Sequence, residues 1–170
     1  MAQEADSGGP AAAAPAPVER IRVRIRVGDD RMAASDDPLF LGLRGPGGRE
    51  FRLAFAHGRG LRRGAEDVYV LGAPGDPEVN VAHPELNDPT RPGIDPAEVT
   101  GAYLRKGQEP IPNVRGFGEM DDRLQVAQAE VELEIRGGAR ARRFQRRGPL
   151  WLGLVCGHVM ELAPGPDRSR

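Results

Sequence analysis

A run of residues near the start of the chain alternates apolar and Arg side chains without a break, and this run most constrains the fold. Residues 21–27 read Ile-Arg-Val-Arg-Ile-Arg-Val. A period of two residues is the period of a β-strand, in which one face is buried and the other meets water. The arginines can keep their charged ends in water while their stems lie along the sheet. The run therefore predicts a strand with one face in a core.

The same alternation, interrupted by turns rich in Gly, Pro, Asn and Asp, predicts further strands. They span residues 39–44, 49–55, 68–72, 99–105, 124–136, 140–147 and 150–162, with 79–81 as the best place for a short one. Residues 124–136 also contain good helix formers, so a helix is the alternative there. The alternation from Glu130 onward favours a strand, with a bulge near 127–129. We expect an all-β fold, an antiparallel β-sandwich of seven or eight strands with two long irregular loops, 73–98 and 106–123.

Length and composition set limits on the organisation of the chain. Its 170 residues suit one domain, which we place at 19–162 between disordered tails at 1–18 and 163–170. Cys156 is the only cysteine, so an intrachain disulfide and a cysteine zinc site are excluded. The net charge of -1 argues against DNA as a partner. We see no signal peptide and no run long enough to span a bilayer, which predicts a cytoplasmic protein, with nonclassical export left open.

Carboxylates gather in the predicted turns of the first half. Asp29, Asp30, Asp36 and Asp37 fall between the first two strands, and Glu66 and Asp67 precede the fourth. If these strands share an edge, the six acids meet at one end of the sandwich. Calcium takes six to eight oxygen ligands, which such loops can supply. The alternative is that Asp is simply a good turn residue, because its side chain bonds its own backbone.

Three motifs resemble the N-terminal half of a PLAT domain, the sandwich of polycystins, lipoxygenases and alpha-toxin. They are Gly-Asp-Asp at 28–30, Ser-Asp-Asp-Pro-Leu-Phe-Leu at 35–41 and Gly-Ala-Glu-Asp-Val-Tyr-Val at 64–70. The Arg-rich, Ala/Gly/Pro-rich composition indicates a bacterial source. The resemblance implies loops that hold calcium and approach lipids or protein partners. It makes Asp30, Asp36, Asp37 and Glu66 the candidate calcium ligands, and it places Trp151 near the start of the last strand.

The choice between a protein partner and a membrane depends on what the loop tips expose. We expect only Met32 and Leu61 there, so a protein partner is favoured, and an anionic surface or lipid headgroup is the alternative. The candidate partner-binding residues are Arg142, Arg143, Arg146, Arg147 and Phe117. The arginines suit acidic or phosphate groups, or they pair across a hairpin with Glu130, Glu132 and Glu134. Phe117 either anchors a recognition loop or packs onto its own sandwich.

Residues suited to catalysis are few. Cys156 and His158 would share one strand face about 7 Å apart, too far for a nucleophile and its base, so we interpret them as a core thiol beside a partly buried His. The sequence favours a noncatalytic binding module that is PLAT-like, with calcium as the candidate cofactor. One alternative is a small hydrolase with a site in the two long loops, lined by His83, Glu109 and Asp121. The other is a structural subunit of a larger assembly.

Overall fold

The computed structural model describes residues 16–108 and 122–166, and these ranges contain eight strands and no α-helix. The strands are β1 Val18–Val27, β2 Leu39–Arg44, β3 Glu50–Leu53, β4 Glu66–Leu71, β5 Gly101–Lys106, β6 Leu124–Ile135, β7 Ala139–Leu152 and β8 Val159–Pro164. One 3₁₀ turn, Pro96–Glu98, precedes β5. The all-β prediction is confirmed, including the choice of strand over helix at β6.

The strands form two antiparallel layers that face each other across one core. Hydrogen bonding follows the order β3-β2-β5-β8-β7-β6-β1-β4. One layer holds β4, β1, β6 and β7, and the other holds β3, β2, β5 and β8. The layers join where Phe144 pairs with Pro164 and Gln145 pairs with Ala163. The predicted antiparallel sandwich is therefore confirmed.

The alternation in β1 and β6 fills the core from one layer. The inward side chains are fully buried, and they are Ile21, Val23, Ile25, Val27, Leu124, Val126, Ala129, Val131 and Leu133. The β1–β6 register shifts between Val18 and Arg20 and again between Arg26 and Val27. The β6–β7 register shifts between Leu133 and Glu134 and, nearer the rim, between Val126 and Gln128. This shift is the predicted bulge, and it keeps the apolar residues on both sides of it pointing inward.

The chain near its C-terminus differs from the prediction of one strand over 150–162. β7 continues through the expected break at 148–149 and ends at Leu152. A turn follows, in which the Gly153 N–H donates to the Gly157 carbonyl at 2.9 Å. Gly157 has φ +92°, a conformation that favours glycine. Cys156 is consequently exposed in this turn, so the interpretations of a core thiol and of a shared face with His158 are wrong.

The insertion at 73–98 forms hydrogen bonds along the outer edges of β3 and β4, the strands at the two ends of the sheet order. The Asn80 side chain accepts from the Val70 N–H at 2.8 Å and donates to the Val68 carbonyl at 2.8 Å, as a neighbouring strand would. On the other side, the Ala82 N–H donates to the Ala54 carbonyl at 2.8 Å. Exposed sheet edges can pair with other chains. This segment occupies both edges, so it has a structural role.

Asn87 is the most heavily bonded side chain of this insertion, and its loss should weaken the fold. It is 5% exposed; it accepts from the Arg52 N–H at 2.8 Å and donates to the Ala82 and His83 carbonyls. Asn87→Ala leaves these main-chain groups without their hydrogen-bond partner. We therefore expect the free energy of unfolding to fall by about 2–3 kcal/mol. Urea titration measures the change. Leu86→Ala is the control, since Leu86 is 75% exposed, and an equal loss there would contradict the role of Asn87.

Candidate functional site

Four connections have their described residues at one end of the sandwich, which we call the rim: 28–38, 54–65, 107–108 with 122–123, and 153–158. The Gly28 N–H donates to the Gln125 carbonyl at 2.8 Å, and the Gly64 N–H donates to the Gly28 carbonyl at 2.9 Å. The Gly107 N–H donates to the Pro38 carbonyl at 2.6 Å. The acidic turns predicted from the sequence therefore adjoin each other. Residues 109–121 lie outside the described residues, and Phe117 is among them.

A buried ion pair lies at the base of the rim. The Lys106 ammonium donates to the Asp37 carboxylate, and the two side chains are 2% and 10% exposed. The Asp37 N–H also donates to the Ser35 hydroxyl at 3.1 Å, which donates to the Asp122 carboxylate at 2.7 Å. The pair thus connects the end of β5 to the loop that precedes β2. A buried charge pair of this kind is strongly destabilised when either partner is removed.

The other three acids predicted to bind calcium have separate neighbours. Glu66 forms an ion pair with Arg24 at 2.6 Å, and Asp36, 82% exposed, lies 3.5 Å from Arg59. Asp30 accepts from the Met32 N–H at 3.0 Å. Glu66 and Asp36 thus each lie beside an arginine, whereas the contact of Asp30 is with a main-chain N–H.

The arrangement limits which of the predicted ligands fit a calcium ion. Within residues 16–108 and 122–166, no three His, Cys, Asp or Glu side chains gather closely enough to hold a metal. Asp37 and Glu66 do not fit as they stand, because a base holds an oxygen of each. Asp30, Asp36 and Glu66 are exposed, whereas Asp37 is only partly exposed. Calcium binding by the four acids stays a prediction.

The turn between β7 and β8 exposes an apolar tip on the rim. Val155 is 89% exposed, and Leu154 and Val159 beside it are also exposed. Met32, on the neighbouring loop, is exposed as predicted, but Leu61 is buried, so that part of the prediction is wrong. The sequence interpretation missed the tip because it placed these residues inside a strand. The two glycines that flank the turn, at 153 and 157, were the available signal.

Exposed arginines lie on the same rim as the apolar tip. The Arg123 guanidinium lies over the Trp151 ring, 5.0 Å from its centroid, at the base of the turn. Arg31 and Arg62 are exposed on the adjoining loops, and neither has an ion-pair partner in the described part of the chain. Exposed aliphatic residues and arginines without an acidic partner suit a surface whose apolar interior is covered by a layer of anionic groups.

The predicted Arg cluster on β7 divides between pairing and exposure. Cross-strand pairing forms at Arg143, which bonds Glu130, and at Arg140, which lies 3.1 Å from Glu132. Burial raises the pKa of Glu132, and these arginines oppose the shift. Arg142 donates instead to the Pro96 and Ala97 carbonyls at 3.1 Å. Arg146 and Arg147 are exposed, and no described acid forms an ion pair with either. Anion binding by the cluster therefore stays a prediction, with these two as its available members.

A cleft of about 360 Å³ opens on the rim between residues 35–38 and residues 52–61. Phe55 and Tyr69 stack at its floor with ring centroids 4.3 Å apart, and burial raises the pKa of Tyr69. Asp36 and Arg59 stand at its mouth. The described residues that line it include no His or Cys. Of the predicted hydrolase set, His83 lies elsewhere, exposed beside Glu85, and Glu109 and Asp121 are outside the described residues.

Comparison with known proteins identifies similar folds. No protein-family model and no curated protein sequence matches this chain. Alpha-toxin from an avian strain of Clostridium perfringens aligns with a TM-score of 0.55 and 13% identity over 91% of this chain and 34% of the toxin. Alpha-toxin from Clostridium absonum gives 0.54 and 12% over 92% and 34%. Coral 8R-lipoxygenase, described as activated by calcium via a C2-like domain, gives 0.54 and 15% over 86% and 17%.

These similarities concern the fold. The chain spans about a third of each toxin and about a sixth of the lipoxygenase. It has a PLAT-like β-sandwich fold, as the motifs of its N-terminal half predicted. In the described ranges, no helix has the length and apolar character needed to cross a bilayer.

Proposed function

We propose that this PLAT-like sandwich is a noncatalytic binding module that docks through its rim to an anionic lipid surface. The observation that carries the proposal is the exposed pair Leu154 and Val155 at a turn whose base holds Arg123 over Trp151. Burial of the apolar tip in the hydrocarbon of a lipid layer is favourable, and the arginines favour a layer with anionic headgroups. A protein partner, which the sequence favoured, is the competing occupant.

The expected affinity follows from two weak contributions. Burying an aliphatic side chain of this size contributes about 1.5–3 kcal/mol. Each Arg held near an anionic leaflet contributes about 1 kcal/mol, and this part weakens with salt. Docking through the tip would bring Trp151, at the base of the turn, towards the headgroups, where aromatic side chains are favoured. Together these contributions predict reversible, salt-sensitive docking.

The structural neighbours support a lipid-surface module at the level of fold. Their whole-protein activities are not carried over, because this chain spans a minor part of each. Calcium, through which the coral lipoxygenase is described as activated, is the cofactor to test. Asp30 and Asp36, two exposed acids of the loop between β1 and β2, are the ligands to substitute first in that test.

Vesicle binding by the intact chain tests the proposal. Co-sedimentation is measured with phosphatidylcholine vesicles with and without phosphatidylserine, each with calcium and with a chelator. Cys156 is the only cysteine and is exposed in the apolar turn, so a polarity-sensitive fluorophore attached there reports insertion. We expect binding and a blue shift with the anionic vesicles, and both should weaken at high salt. Absence of binding, or equal binding to neutral vesicles, would reject anionic lipid as the occupant.

A further inference from the structure

The cleft on the rim has a floor of two aromatic rings and sides of apolar side chains. Phe55 and Tyr69 form the floor, and Pro38, Leu53 and Leu61 line the sides. Its volume of about 360 Å³ lies at the small end of the range of about 300–1,000 Å³ in which proteins bind small molecules. An aromatic ring suits this space, because it can contact the two stacked rings edge-on.

The Tyr69 hydroxyl is a polar group at the cleft floor that has no hydrogen-bond partner in the described part of the chain. Tyr69 is 1% exposed, and its hydroxyl bonds no described residue. The hydroxyl oxygen is nevertheless not sealed from solvent, and Tyr69 lines the cleft, so the oxygen faces into it. Buried polar groups are normally hydrogen-bonded. This hydroxyl can therefore form its hydrogen bond with a ligand in the cleft.

The loop above the floor is held in a form that leaves this hydroxyl accessible. A Cβ atom at Gly60 would lie 2.4 Å from the Tyr69 hydroxyl, so a glycine is needed there to keep the oxygen uncovered. The next residue, Leu61, has φ +59°, which is uncommon for a bulky side chain. The Leu61 N–H donates to the Asp67 carboxylate at 2.6 Å, and this bond stabilises the turn. Backbone strain of this kind is concentrated at ligand sites.

The charges around the cleft differ between its floor and its edge. Burial raises the pKa of Tyr69 and the Asp67 carboxylate raises it further, so the hydroxyl stays protonated and can donate. The same carboxylate disfavours an anion at the floor. At the edge, Arg52 is exposed and no described acid forms an ion pair with it, whereas Arg59 lies 3.5 Å from Asp36. The cleft thus offers a neutral donor at its floor and a cation at its edge.

We propose that the cleft binds a small aromatic carboxylate whose far end carries a neutral oxygen. The ring lies among the apolar side chains, the neutral oxygen accepts from the Tyr69 hydroxyl, and the carboxylate lies beside the Arg52 guanidinium. This site goes beyond docking to a lipid surface, because a free small molecule occupies it. It is therefore tested without vesicles.

Three probes that differ by one group test the proposal on the intact chain. They are para-hydroxyphenylacetate, phenylacetate, which lacks the phenol oxygen, and tyrosol, which has an alcohol in place of the carboxylate. Ligand-observed NMR titration gives the dissociation constants. Tyr69→Phe should weaken binding of para-hydroxyphenylacetate by about three- to tenfold, the loss of one neutral hydrogen bond, and should leave phenylacetate unchanged. Arg52→Gln should weaken both acids by about two- to fourfold and leave tyrosol unchanged, since only the acids carry a charge.

Tyr103→Phe is the matched control, because Tyr103 is the other tyrosine of the chain and its hydroxyl donates to Glu50 away from the cleft. It should bind all three probes like the wild type. Equal weakening of both acids by Tyr69→Phe, or the same weakening by Tyr103→Phe, would overturn the role of the hydroxyl. If Tyr69→Phe does not fold, the wild type decides, and equal affinity for the two acids would then refute the proposal. Absence of saturable binding of either acid would reject the site, whatever the vesicles show.

Discussion

Replacing Asp37 by alanine should lower the free energy of unfolding by about 3–5 kcal/mol. The change leaves the Lys106 ammonium inside the protein without its carboxylate, because the lysine is 2% exposed and cannot turn out to solvent without opening the rim. Removing one partner of a buried pair costs more than the pair contributes, since the remaining charge keeps its desolvation penalty. Denaturant titration followed by circular dichroism measures the loss.

Asp36→Ala is the matched control for this experiment. Asp36 adjoins Asp37 in the same loop, but its side chain is 82% exposed and lies 3.5 Å from Arg59. Exposed ion pairs contribute little, so we expect a change below about 0.5 kcal/mol. Equal losses at the two positions would show that the loop is sensitive to any change, and the special role of the buried pair would then be rejected.

The parts of the fold that followed from sequence are those with local causes. The alternation of 21–27 specifies which face of β1 is buried, and the parity change in β6 locates its bulge, because the side-chain period of a strand is two. The acidic turns were expected at a shared end, and they adjoin there because β1 pairs antiparallel with both β4 and β6.

The parts that did not follow depend on tertiary contacts or on an atypical turn. The pairing of Lys106 with Asp37 joins residues far apart in the chain, and no local pattern marks it. The role of the insertion depends on Asn80 and Asn87, whose amides replace main-chain partners across two sheet edges. The β7–β8 turn is apolar at its tip. A prediction based on hydrophobicity alone therefore continued the strand through the turn.

Val155→Asp should weaken partition into anionic vesicles by about 100-fold, which corresponds to about 2.7 kcal/mol. The variant replaces an aliphatic side chain that would enter the hydrocarbon with a carboxylate that must stay hydrated and that anionic headgroups repel. Because Val155 is 89% exposed, the folded protein should keep its melting temperature. Co-sedimentation over a range of lipid concentrations gives the partition coefficient.

Leu86→Asp is the matched control, because Leu86 is also highly exposed but belongs to the insertion between β4 and β5. It adds the same negative charge to the same chain, but away from the apolar turn. We therefore expect the partition coefficient to fall by less than about threefold, from the added charge alone. A large loss for Val155→Asp with a small one for Leu86→Asp assigns docking to the β7–β8 turn. Equal losses would mean that the net charge governs the binding. Binding retained by both variants would show that the docking surface lies away from this turn. The exposed Arg146 and Arg147 would then be the next residues to substitute.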